Sequence, residues 1–208
     1  MMTDMNMNEF LEVLSSAAPV PGGGGASGYV AAIGMSLGTM VANLTTGKKK
    51  YAQYQEEIES LIEKTGEVTK ELAMCMDKDA KAFEPLSKAY GLPRTTSEEI
   101  ARRDEIMEKA LVDAAQAPLD MMKTIMEAIK LLDRLSVVGS RIAISDVGVG
   151  VAMCKAALNG ASLNVFINTK LMKNRDVADD MNTRADEMII DGNELADKIY
   201  SDVMDEIR

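Results

Sequence analysis

The alternation of polar and apolar positions along this chain is broken by one long uncharged stretch. From Val13 to Gly47 no residue carries a charge, although 27% of the sequence is charged. Within it Pro19-Val20-Pro21-Gly22-Gly23-Gly24-Gly25-Ala26-Ser27-Gly28 is followed by a run of small apolar residues from Tyr29 to Leu44. Proline fixes φ and lacks an N–H, and glycine admits left-handed backbone, so the Pro/Gly part is expected as an irregular loop. The run after it is expected as a buried helix. Gly34 and Gly38 fall four apart on one face, where small residues let another backbone approach, from a core neighbour or a second copy of the chain. Lys48-Lys49-Lys50 follows at once. Backbone donors, a buried helix and a basic cluster together point to an anionic ligand.

The rest of the pattern has helical period. Met1 to Met7 is expected to fray, with a short helix from Asn8 to Ala18. A long helix is expected from Lys49, with an inward stripe Tyr51, Tyr54, Ile58, Leu61, Thr65, Val68, Leu72, Met76, Asp79 and Phe83 in steps of three or four. Asp79 thus falls on the core-facing line, where a carboxylate is costly unless paired. Asp77, Lys78 and Lys81 lie off it and read as solvated charges. Pro85 and Gly91-Leu92-Pro93 are expected to end this helix. Thr96-Ser97-Glu98-Glu99 is a capping box, and Pro118 is expected to kink or divide the helix it opens. Another helix should carry Met121 to Leu132 and stop before Gly139. Arg141 to Val151 alternates as a strand would, but a helix from Arg141 to Leu158 is preferred, because no partner strand is visible. Asn159-Gly160 is a weak point, after which an apolar segment to Met172 holds Asn164 and Asn168 on one face. Val177, Met181, Ala185, Met188, Leu195, Ile199 and Val203 mark a long C-terminal helix. The expectation is an all-α bundle of six or seven helices forming one domain, residues 1–208.

Composition narrows the function. The 208 residues include 17 Met, no Trp and only 4% aromatics, which suits helices. A net charge of −10 argues against nucleic acid as a partner. Two cysteines, Cys75 and Cys154, are too few for a disulfide framework and are expected buried, reduced and inert, in the cytoplasm. The uncharged stretch is long enough to span a bilayer, but it is built of Gly, Ala, Ser, Thr and Asn, so a buried helix in a soluble protein is preferred and no membrane partner is expected.

Three motifs fail on inspection. Gly23 to Gly28 matches G-x-G-x-x-G, yet no strand precedes it and no acid lies between Glu12 and Glu56. Gly47-Lys48 lacks the first glycine and the hydroxyl residue of a phosphate-binding loop. The absence of histidine excludes Ser-His-Asp and Cys-His nucleophiles and argues against a zinc site. What remains is a combination: Pro21-Gly22-Gly23-Gly24, the small-residue helix ending Met40-Val41-Ala42-Asn43-Leu44-Thr45, and Gly47-Lys48-Lys49-Lys50-Tyr51. With Asp79-Ala80-Lys81-Ala82-Phe83, Leu92-Pro93-Arg94, Ala117-Pro118-Leu119, Ser145 to Gly150 and Gly160 to Asn168, it resembles the formiminotransferase-cyclodeaminase C-terminal family across most of the chain. Gly25 stands where that family usually has Ser, and Ser140 where it usually has Asn.

The resemblance implies an all-helical homodimer acting on folate one-carbon units. The family includes free-standing bacterial methenyltetrahydrofolate cyclohydrolases, which add water to 5,10-methenyl-tetrahydrofolate and open it to the 10-formyl form. Cyclodeaminases form the same methenyl ring from 5-formimino-tetrahydrofolate and expel ammonia. A non-catalytic helical partner protein is the remaining alternative. The chemistry needs a base for water, a group to manage a proton on nitrogen and polar groups to hold the pterin, with no metal or cofactor. Asp79 and Asp146 are the candidate bases, Asp146 with a helix cap as its competing role. Lys48 is a candidate for proton transfer, and would lower the Asp79 pKa if near it, whereas burial would raise it. Lys48, Lys49 and Lys50 can also meet a polyglutamate tail, with one or two of them expected to act, Lys48 first. Substrate contacts are expected from Pro21, Gly22, Gly23, Gly24, Asn43, Lys49, Tyr51, Phe83, Ser145, Asn164 and Asn168. The Gly34/Gly38 face and the C-terminal stripe are the expected dimer surfaces.

Overall fold

A computed structural model describes all residues, Met1–Arg208. Six α-helices account for the chain: α1 (Met7–Leu14), α2 (Gly22–Thr45), α3 (Gln55–Tyr90), α4 (Ser97–Val138), α5 (Ile144–Thr169) and α6 (Arg175–Ile207). Short 3-10 turns at Met2–Asp4, Lys49–Tyr54 and Arg141–Ala143 join or precede them. There is no strand, so the alternation after Arg141 belongs to a 3-10 turn running into α5.

Helix α2 lies between α3 and α5 and runs antiparallel to both, with α4 beneath all three and α6 closing the side against α4 and α5. Its small residues set these distances. A Cβ on Gly34 would stand 2.7 Å from the Gly150 carbonyl oxygen, and a Cβ on Gly150 would stand 2.7 Å from that of Gly34. A Cβ on Gly38 would meet Leu132 of α4 at 3.0 Å. The Gly34/Gly38 face is therefore a core contact and not a surface between copies. The C-terminal stripe is likewise internal: Met181, Ala185, Ile199 and Val203 are buried in this chain. Leu72, Leu119, Ile125, Ile129 and Leu132 fill the centre and are fully buried. Each contributes about 1.5–3 kcal/mol through removal from water.

Several boundaries depart from the sequence reading. The glycine run is not a loop: α2 begins at Gly22, whose φ of +55° suits glycine, and the next three glycines form its first turn. Neither Pro85 nor Pro118 ends its helix. Each lacks only one donor, and tertiary packing on both sides of Pro118, which is itself buried, outweighs that loss. Asn159-Gly160 is continuous within α5 because a Cβ at Gly160 would meet Ser27 Oγ of α2 at 2.6 Å, so packing holds the glycine there. Helix α1 stops at Leu14, four residues early. The first residues do not fray: the Met2 N–H donates to Asp77 Oδ1 (2.7 Å) and the Thr3 hydroxyl to Asp77 Oδ2 (3.2 Å). Asp77 is thus a buried anchor rather than a solvated charge. The Thr96/Glu99 capping box is present as expected.

Helices α2 and α5 are long and apolar enough to cross a membrane by length and composition, and half or more of each apolar window is buried against neighbouring helices. Gly34→Ala tests the close packing. It should destabilise the fold by about 1–3 kcal/mol, lowering the melting temperature measured by circular dichroism by several degrees. An unchanged melting temperature would mean that α2 and α5 have room to spare.

Candidate functional site

The expected site residues fall into two groups at opposite ends of α2. At its N-terminal end, Gly24 packs on Asp79 of α3 so closely that a Cβ at Gly24 would overlap the carboxylate. Gly23 is exposed and lies beside the Asn164 side chain of α5, 3.5 Å from a built Cβ to Nδ2. Glycine at these positions therefore makes space for a carboxylate and an amide. Asp79 is half-buried, with no hydrogen bond or ion pair to any side chain. Burial alone pushes its pKa up, to about 6. Pro21 is buried and precedes this turn. Phe83, one turn along α3 from Asp79, lines a cleft of about 370 Å³ with Pro19, Val20, Asp77 and Lys81.

The two asparagines differ. Asn164 donates once, to the Gly160 carbonyl at 2.9 Å, and its remaining amide functions are free at the surface of the site. Asn168 is buried and donates to Ala114 O (2.9 Å) and Asn164 O (2.8 Å). Both of its amide donors are spent on joining α5 to α4 and on its own helix, so it supports the site and offers no donor to a ligand.

The C-terminal end of α2 holds the other group. Lys48 Nζ donates to Ser140 Oγ (3.2 Å), the Ser140 N–H donates to Thr45 Oγ1 (2.8 Å), and the Arg141 N–H donates to Tyr51 Oη (2.9 Å). That last bond holds the buried Tyr51 hydroxyl below its usual pKa. Lys49 is exposed, and Lys50 lies over the Tyr51 ring at 5.6 Å. None of the three lysines has a carboxylate partner. Asn43 is exposed, not set in apolar surroundings, and donates to Thr39 O of its own helix. Ser145 is exposed and Asp146 half-buried in the first turn of α5, where the helix dipole favours an acid. Asp146 does not cap the helix; Ala143 occupies that position.

Gly24 and Thr45 are 21 residues apart in one helix, about 30 Å at 1.5 Å per residue. Lys48 is consequently far from Asp79 within one chain, and the expected pairing of the two does not occur there. Asp77, Thr45 and Arg141 organise the two ends without having been singled out, and Ser140, noted only as a departure from the family pattern, joins them. Their signal in the sequence is slight, because each acts through a contact with a residue 74 or more positions away. Both cysteines are buried, with thiol pKa values pushed up by burial to about 11 for Cys75 and about 12 for Cys154. They are unreactive thiols, as expected.

Comparison with known proteins places these features. Residues 6–187 match the family model described as Formiminotransferase-cyclodeaminase. The chain is 35% identical over 198 residues to the methenyltetrahydrofolate cyclohydrolase of Methylorubrum extorquens, covering 95% of each. It is 30% identical over 169 residues to the formimidoyltransferase-cyclodeaminase of Rattus norvegicus, with 81% of this chain but only 31% of that longer protein covered. Its fold matches the crystal structure of formiminotetrahydrofolate cyclodeaminase from Thermotoga maritima with a TM-score of 0.83 and 26% identity, over 99% and 97% of the two chains. A family match across most of the length, with its motifs gathered at the two ends of one helix, means that this chain belongs to the formiminotransferase-cyclodeaminase family.

Proposed function

We propose that this chain is a methenyltetrahydrofolate cyclohydrolase, opening 5,10-methenyl-tetrahydrofolate with water to 10-formyl-tetrahydrofolate. The carrying observation is Asp79: an unpaired, half-buried carboxylate held against the glycine turn of α2. Cyclohydrolase is preferred because the relative of that name is 35% identical over 95% of its length, against 26% for the cyclodeaminase structure. The cyclodeaminase reading is supported by the likeness to the Thermotoga maritima structure. The two reactions share an amidinium carbon between N5 and N10, so one site serves either.

In the hydrolytic direction Asp79 takes a proton from water as the oxygen attacks that carbon. The attack neutralises the amidinium cation and leaves a carbinolamine. Gly23, Gly24 and the free amide functions of Asn164 line the position the pterin would take, with Phe83 and the cleft beside it. The reaction needs no metal and no cofactor. Lys49 and Lys50, free of acidic partners in a chain of net charge −10, are suited to a polyglutamate tail. We further propose a cytoplasmic homodimer.

Loss of the methenyl chromophore on adding the protein supports cyclohydrolase. Its appearance from the formimino compound supports cyclodeaminase, and silence in both assays with no folate binding supports a non-catalytic role. Chelator should leave turnover unchanged; activity lost to chelator and restored by a divalent ion would contradict the metal-free chemistry.

Asp79→Asn should reduce turnover by about 10² to 10⁴ while folate binding survives. Because the native pKa is raised, the folded protein binds more protons than the unfolded chain between about pH 4 and 6, so stability falls as pH rises through that window. The cost is fully present above it, at most about 3 kcal/mol. Asp79→Asn should therefore melt at a higher temperature than the parent at pH 8 and at an equal one below pH 4. A variant that is both active and less stable would make Asp79 a structural group. Turnover of the parent should be lost on acidification as Asp79 is protonated, with a midpoint no higher than about 6. A profile flat to pH 4 would exclude an ionised Asp79 as the base.

A further inference from the structure

Ala117-Pro118-Leu119 is part of the family pattern, yet its side chains carry no chemistry: two are aliphatic and the third is a proline inside α4. What Pro118 changes is the backbone. It has no N–H, so the Ala114 carbonyl, one turn earlier, loses its α-helical donor. Pro118 is buried and Ala114 is only 4% exposed, so water cannot take that donor's place. Asn168 of α5 takes it, its Nδ2 donating to Ala114 O at 2.9 Å. Pro85 is the contrasting case. It deprives the Lys81 carbonyl of α3 in the same way, but Pro85 and Lys81 are exposed, and no side chain donates to that carbonyl. An amide is supplied only at the proline that is shut away from water.

The same Asn168 amide donates a second time, to the Asn164 carbonyl at 2.8 Å. Asn164 is the residue whose side chain stands beside Gly23, 3.5 Å from a built Cβ to Nδ2. Resting on the folate reading, we infer that Pro118 and Asn168 form a positioning pair for Asn164. The proline reserves a buried carbonyl of α4 for the asparagine, and the asparagine holds the turn of α5 from which Asn164 reaches the pterin. A hydrogen bond weakens steeply when it is bent or stretched. One amide tied both to α4 and to the Asn164 carbonyl therefore fixes that turn in rotation and in height. Asn164 itself spends one N–H on the Gly160 carbonyl and keeps the other N–H and its Oδ1 for a ligand. Pro118 and Asn168 act through it and touch no substrate.

A double-mutant cycle tests the pairing. Asn168→Leu removes both donors and leaves the Ala114 carbonyl buried and alone, which should lower the melting temperature by about 4–10 °C. Pro118→Ala returns an N–H to α4 at the position that serves this carbonyl. In that background Asn168→Leu should lower the melting temperature by less than about 2 °C, because no buried carbonyl is orphaned. The Asn164 carbonyl keeps the helical N–H of residue 168 in either case. Equal losses in the two backgrounds would overturn the inference.

The stable double variant then separates positioning from stability, since it keeps every backbone partner but no longer ties α5 to α4 through residue 168. Its KM for 5,10-methenyl-tetrahydrofolate should rise about five- to tenfold, the scale of one hydrogen bond to the bound ring, with a much smaller change in kcat. Asn164→Ala should show the same split. Added to the double variant, it should raise KM little further, because the two changes remove one contact. A double variant with parental melting temperature and parental KM would make the Asn168 bond purely structural and overturn the inference. So would a full second rise in KM on adding Asn164→Ala, which would mean that Asn168 acts by another route. The parental chromophore assay tests the folate reading separately: no turnover there condemns that reading, while the melting cycle still decides the pairing.

Discussion

The fold depends on how closely α2 can approach the helices around it. Gly34 and Gly150 each leave out a side chain that would strike the other's backbone at 2.7 Å, and Ser27 rests where Gly160 has none. The same closeness at Gly24 seats the Asp79 carboxylate under the first turn of α2. A packing solution and the proposed site are thus one feature. Larger residues would add buried area in the bundle but would move the α2 N-terminus off the carboxylate.

That arrangement sets function against stability. A half-buried carboxylate with no cation costs free energy above its pKa, and nothing in the same chain relieves it. Asp77, two residues away and more deeply buried, shows the contrasting case: it is answered by the Met2 amide and the Thr3 hydroxyl. A chain selected for stability alone would treat Asp79 as it treats Asp77. On the proposed reading, that unrelieved carboxylate is the base of the reaction.

Much of this was legible in the sequence. The three-four stripe from Tyr51 to Phe83 placed Asp79 on the core line of α3, and the Thr96–Glu99 capping box marked the start of α4. Prolines and glycines misled, because their local cost is small beside the packing of long helices: Pro85 and Pro118 sit inside helices, and the glycines after Pro21 begin one. Asp77 misled because its partners are more than 70 residues away, beyond any periodicity. The family motifs identified the residues of both ends, but only three-dimensional structure reveals that the length of α2 holds Lys48 away from Asp79.

The most direct measurement is the titration of the Asp79 carboxyl itself, followed by carbon NMR, with Asp79→Asn to assign the resonance. The account predicts a midpoint well above the ordinary aspartate value of 3.8, at about 6. A midpoint at or below 3.8 would mean that Asp79 already has a partner within its own chain, and would contradict the account.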